Sequence, residues 1–101
     1  LNKINKYNKV NLADISKLKT SKIALIEGIE IHNISTKVNE FNILNKYKKT
    51  IRTIGHEECD ILKFIQNGVT LNDLRARFDF TQRDLLNFLN IMISESIIYF
   101  I

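Results

Sequence analysis

The sequence predicts one α+β domain in which a three-stranded antiparallel sheet precedes three helices. Three observations predict it. Between Ile23 and Ile54 the apolar residues alternate with polar ones in short runs separated by polar turns. After Gly55 they recur at helical spacing. Two Thr-x-x-Asp signals, at Thr70–Asp73 and Thr81–Asp84, then mark helix starts. A chain of 101 residues, 45% hydrophobic and 26% charged, is long enough for one modest core and not for two.

The elements follow in order. Residues 1–22, "LNKINKYNKVNLADISKLKTSK", read as a polar, Lys/Asn-rich extension, with Asp14–Leu18 as an alternative single helical turn. The domain proper is expected over 23–101. "IALIEGIEIHNI" is the first strand, with Ile29 and Ile31 on one face, Glu30 and His32 on the other, and Gly28 at a bend or bulge. "EFNILNKY" and "KTIRTI" are the second and third, so short links suggest a meander. Gly55 to Gln66 is the first helix, stopped by Asn67-Gly68. Thr70 opens the second, Gln82 to about Glu95 is the third, and "IIYFI" is a last extended piece.

Two features stay unfinished in this scheme. The apolar residues of the third helix, Leu85, Leu86, Phe88, Leu89, Ile91, Met92 and Ile93, cover an arc of roughly 220°, against the little over ~100° that one core contact needs. Leu85, Phe88, Leu89 and Met92 suffice for the core. Leu86 and Ile93, with Asn90 between them, are left over, either covered by the strands and "IIYFI" or forming a groove for an apolar partner residue. The third strand is the other feature: an edge carrying Lys49 and Arg52, with Lys46 and Lys48 in the turn before it. Such charges guard an edge against unwanted pairing, and equally attract an acidic peptide that adds as a fourth strand.

Composition narrows the function classes. Cys59 is the only cysteine, which excludes an internal disulfide and a cysteine-based zinc site, and His32 and His56 lie far apart, so neither metal nor cofactor is expected. No run approaches membrane-spanning length, and without a secretory leader the cytoplasm is the expected location. The chain starts on Leu and ends on "SIIYFI", as a piece cut from a longer protein would. The net charge of +4 divides unevenly: residues 1–54 hold eleven Lys/Arg and four Asp/Glu, hence +7, and residues 55–101 hold four and seven, hence −3.

The stretch "GHEECDILKFIQNGVTLNDLRARFDFTQRDLLNFLNIMISESIIYF" resembles the helical half of PqqD-like domains, the RiPP precursor peptide recognition elements. The matching pieces are Ile61-Leu62, Phe64-Ile65, Asn67-Gly68, Thr70, Leu74, Leu85, Phe88-Leu89, Met92 and Ile97-Ile98, and the meander fits the family's three strands. The chain is also similar to the N-terminal peptide clamp of adenylating and cyclodehydratase enzymes that act on ribosomal peptides. The resemblance covers roughly residues 23–100 and implies a winged-helix-like β3α3 domain. It further implies a module that binds the leader segment of a precursor peptide and delivers it to a modifying enzyme, fused in cis or met in trans. The leader would add to the third strand and pack on the third helix. By position this nominates Lys49, Thr50, Ile51, Arg52 and Thr53 for pairing and charge, and Leu86, Asn90 and Ile93 for the groove. The Lys/Asn-rich extension and the untidy strand alternation depart from the family pattern.

Three other readings compete. A DNA-binding winged helix is suggested by "TLNDLRARFDFTQRDLLNFLNIM", but the helix that would enter the major groove begins Gln82-Arg83-Asp84, and its half of the chain has the wrong sign for phosphates. An enzyme would need a nucleophile, a base and an orienting group together. His56-Glu57-Glu58 beside Cys59 and Asp60 instead reads as a helix start whose acids complement the dipole. The open edge and the apolar flank could also meet a second copy as a homodimer.

Overall fold

A computed structural model describes residues 21–34, 36 and 38–101. The expected extension over 1–22 therefore lies almost wholly outside the described residues, as does the helical turn at 14–18. In order the described elements are β1 (Lys22–Leu25), β2 (Glu30–Asn33), β3 (Glu40–Leu44), β4 (Thr50–Gly55), α1 (His56–Ile65), β5 (Val69–Thr70), α2 (Leu71–Arg77), α3 (Gln82–Ser94) and β6 (Ile98–Phe100). The chain is a small α+β domain of antiparallel sheets and three helices.

The single strand expected over Ile23–Ile34 is instead two strands in two sheets. The chain turns where the Ile29 N–H donates to the Ile26 carbonyl, 3.1 Å away. At the turn Gly28 has φ +91°, and a Cβ there would lie 2.7 Å from the Lys46 Cβ. Only glycine tolerates both conditions. Upstream of the turn, β1 is the centre of the sheet β5-β1-β6, with Ile23 opposite Val69 on one side and Phe100 on the other. Downstream, β2-β3-β4 is the expected meander, with Ile31 opposite Ile43 and Phe41 opposite Ile54. The final extended piece thus becomes β6, a partner of β1.

Local chemistry sets each helix. The Glu58 carboxylate accepts the Gly55 N–H at 3.1 Å and closes the start of α1. Gly68, at φ +100°, ends that segment by donating to the Ile65 carbonyl at 2.8 Å. Thr70 and Asp73 exchange reciprocal hydrogen bonds of 3.0 Å at the start of α2. Thr81 Oγ1 accepts from the Asp84 N–H at 3.0 Å at the start of α3. α3 ends in a Schellman pair, Ile97 N–H to the Met92 carbonyl at 2.9 Å and Ser96 N–H to the Ile93 carbonyl at 3.0 Å, with Ser96 at φ +56°.

The core gathers Ile23 and Ile98 from one sheet, Ile43 and Ile54 from the other, and the inner faces of the helices. Leu62, Ile65, Leu71, Leu74, Leu85, Leu89 and Met92 are fully enclosed. Each such side chain contributes roughly 1.5–3 kcal/mol of hydrophobic stabilisation. No polar or charged residue among those described is buried.

Candidate functional site

Two neighbouring features form the candidate site, a sheet edge and a cleft. β4 is the last strand of its sheet, and among the described residues its backbone pairs with β3 alone. Thr50, Ile51, Arg52 and Thr53 lie on this strand, and Lys49 immediately precedes it. Cross-strand pairing separates their side chains. Arg52 opposes Ile43 on the face toward the core, whereas Thr53 opposes Asn42 on the outer face, where its hydroxyl donates to Asn42 Oδ1 at 2.8 Å.

The inward face of Arg52 decides its partner. Its Nε donates to Glu95 Oε1 at 2.5 Å and its Nη2 to Glu95 Oε2 at 3.2 Å, tying β4 to the end of α3. Those hydrogen bonds hold the guanidinium pKa above its ordinary value. Lys48 in the turn ahead of β4 pairs with Glu30, whose carboxyl is held below the usual range by that lysine first and by His32 second. The Lys46 ammonium lies 5.2 Å from the centre of the Tyr47 ring. Much of the positive charge expected to advertise the edge is therefore engaged within the molecule.

The cleft lies at the C-terminal end of β4 and has a volume of about 600 Å³. The first two turns of α1 (Glu57, Glu58, Asp60, Ile61), the loop before α3 (Phe78, Asp79, Phe80) and one face of α3 (Asp84, Phe88, Ile91, Met92) line it. On α3 these four residues follow i, i+4, i+7, i+8 spacing, one continuous face. Phe78, Phe80 and Phe88 form a chain of rings with successive centroids 6.2 Å apart, extended by Phe64 edge-on to Phe78 at 5.6 Å. Ile91 is 40% exposed, the one exposed apolar residue of α3.

The three helix residues nominated from sequence are not the ones that line this cleft. Ile93 is 3% exposed and belongs to the core. Leu86 is half-buried and packs against the core, and Asn90 is half-buried on the same flank. α3 is covered on the Leu86–Ile93 side and open on the Ile91 side. The helical wheel places Ile91 on the side opposite the Leu86–Ile93 flank; it could not say which of the two the sheets would cover.

Other singled-out residues fall in ordinary places. Cys59 is 1% exposed, and burial pushes its thiol pKa up. His32 is an exposed strand residue 2.8 Å from Glu30. Among the described residues no three His, Cys, Asp or Glu side chains are grouped to hold a metal ion, and no helix is long and apolar enough to cross a membrane.

Comparison with known proteins finds no matching family model, no matching curated protein and no matching solved structure. The functional reading rests on the geometry of the edge and the cleft.

Proposed function

We propose that this chain is a peptide-capture module with a winged-helix-like arrangement, in which β2-β3-β4 form the sheet and α3 the recognition helix. Its ligand is the leader segment of a ribosomally made precursor peptide, and its setting is the cytoplasm. The leader adds as a strand to the outer edge of β4 and sets apolar side chains against Ile91, over the buried Phe88 and Met92. The observation that carries the reading is the β4 edge, unpaired among the described residues, ending beside an apolar-floored cleft on α3. A chain paired along Arg52–Ile54 would pass the end of α3, because Glu95 holds Arg52 one turn beyond Ile91. Backbone pairing supplies register, and one or two buried anchors supply affinity. Micromolar binding needs about 8 kcal/mol net, within reach of such an anchored strand.

On this reading the module performs no chemistry itself and hands its peptide to a modifying enzyme, fused or separate. The buried, protonated Cys59 supports that division of labour, since the thiolate is the nucleophilic form. Peptides encoded by short reading frames beside the gene, titrated into the ¹⁵N-labelled full chain, test the proposal. One of them should shift the amides of Thr50–Ile54 together with Ile91 and Met92. Shifts confined to β1, β5 and β6 would refute strand addition at β4. Binding of duplex DNA that collapses with added salt and perturbs Gln82 and Arg83 would favour nucleic-acid recognition instead.

A further inference from the structure

The charge of the cleft is opposite to that expected of the site. Five carboxylates line it, Glu57, Glu58, Asp60, Asp79 and Asp84, and no Lys or Arg does. They are five of the seven acidic residues in 55–101, so the negative half of the chain is concentrated around one hollow. Glu58 is committed to the Gly55 N–H. The other four have no ion pair or side-chain hydrogen bond among the described residues. The Arg77 guanidinium stacks at 4.9 Å on Phe78, a ring of the cleft wall, without an ion pair to any of these carboxylates, and Arg83 lies about 100° round α3 from Asp84.

We propose that this cleft selects an arginine next to an apolar residue in the captured peptide. The inference rests on the peptide-capture reading and specifies its ligand: basic, where the lysines of the strand region had pointed to an acidic one. Two independent observations carry it. The carboxylate rim, which holds no Lys or Arg, is complementary to a cation. The half-buried ring of Phe80 offers aromatic surface beside the Phe78 ring that Arg77 covers, and a guanidinium stacks on such surface while donating sideways to carboxylates. Arg77 on Phe78 is an example of that stacking within the molecule. Lysine fits less well, because its ammonium is a compact and strongly hydrated charge. A bare metal ion fits worse still, as no three carboxylates here are grouped to coordinate one. The neighbouring apolar side chain rests on the exposed Ile91.

The test uses capped synthetic peptides, Ser-Thr-Val-Leu-X-Thr-Val-Ser, with X as Arg, Lys, Gln or Glu, titrated into the ¹⁵N-labelled full chain. The arginine peptide should bind at least about tenfold more tightly than the glutamate peptide, with lysine between them, and the preference should shrink as salt screens the rim. In Glu57→Gln/Asp79→Asn, two exposed positions, the preference should fall to about threefold or less, with the amide spectrum otherwise dispersed as in the wild type. Equal binding of the arginine and glutamate peptides, both shifting β4 amides, would overturn the charge assignment and leave strand capture standing. Arginine-selective shifts in the cleft without shifts in β4 would do the reverse. Failure of every peptide to perturb either region, or concentration-dependent self-association through the cleft, would overturn both.

Discussion

Breaking the Arg52–Glu95 pair measures how firmly α3 is fastened to the β4 edge. The pair is bidentate, with contacts of 2.5 and 3.2 Å, and its side chains are 35% and 29% exposed. At a charge separation of ~4 Å and an effective dielectric constant near 20, the direct attraction is about 4 kcal/mol. Ordering two long side chains and partly dehydrating both charges cancels most of that. A fully exposed pair retains about 0.2–1 kcal/mol, and removing one partner of a buried pair costs about 3–5 kcal/mol. At roughly one-third exposure the coupling should be about 1–1.5 kcal/mol. The assay is a double-mutant cycle of Arg52→Met and Glu95→Gln, each followed by urea unfolding at neutral pH and repeated in ~1 M salt, where the coupling should weaken. A coupling below about 0.3 kcal/mol at low salt would mean that the pair is incidental. The fastening of β4 to the end of α3 would then need another explanation.

Three further outcomes follow from the backbone and the caps. Ser96→Gly should stabilise the domain by about 0.5–1 kcal/mol, read as a rise of several degrees in thermal midpoint, because Ser96 holds the left-handed position of the α3 cap at φ +56°. Gly28→Ala should destabilise by about 2–3 kcal/mol in urea unfolding, combining a strained φ of +91° with a Cβ that meets Lys46 at 2.7 Å. The Asp73 carboxyl is held below its ordinary pKa by the Thr70 N–H and hydroxyl, so its contribution is present above the unfolded pKa and lost as pH falls through the folded one. The midpoint difference between wild type and Asp73→Asn should therefore be full at neutral pH and close below about pH 4; a gap that persisted at pH 2 would contradict the cap.

What the sequence disclosed depended on how local the deciding interaction is. The caps at Thr70 and Thr81 were legible because each hydrogen bond spans three residues. The stop at Asn67-Gly68 and the meander β2-β3-β4 were legible for the same reason. The second sheet was not. It needs β1 to find Val69–Thr70 and Ile98–Phe100, strands of two and three residues with no periodicity of their own. Gly28 was visible as a bend, but its severity comes from Lys46, eighteen residues away. On α3 the apolar excess was evident, but the open flank was not, because β6 and the core cover Ile93 while the cleft leaves Ile91 bare. The acidic rim had one faint signal, the −3 charge of residues 55–101, and the sequence could not gather Glu57, Asp79 and Asp84 around one hollow.

The engagement of Lys48 with Glu30 and of Arg52 with Glu95 has a consequence for specificity. With those charges neutralised inside the molecule, the β4 edge offers a foreign chain mainly peptide groups, and peptide groups read no sequence. A strand paired only through its backbone can slide by two residues and present the same face again. On the proposed reading something outside the ladder must fix the register, and among the described residues the cleft lies at the end of β4 where it can do so. An arginine seated among Asp79, Asp84 and the phenylalanines would pin a single residue of the ligand, and every other residue would fall into place along the strand from that point. Moving the arginine by two positions in the synthetic peptide should then move the pattern of perturbed β4 amides by two residues, whereas moving the leucine alone should weaken binding without shifting that pattern.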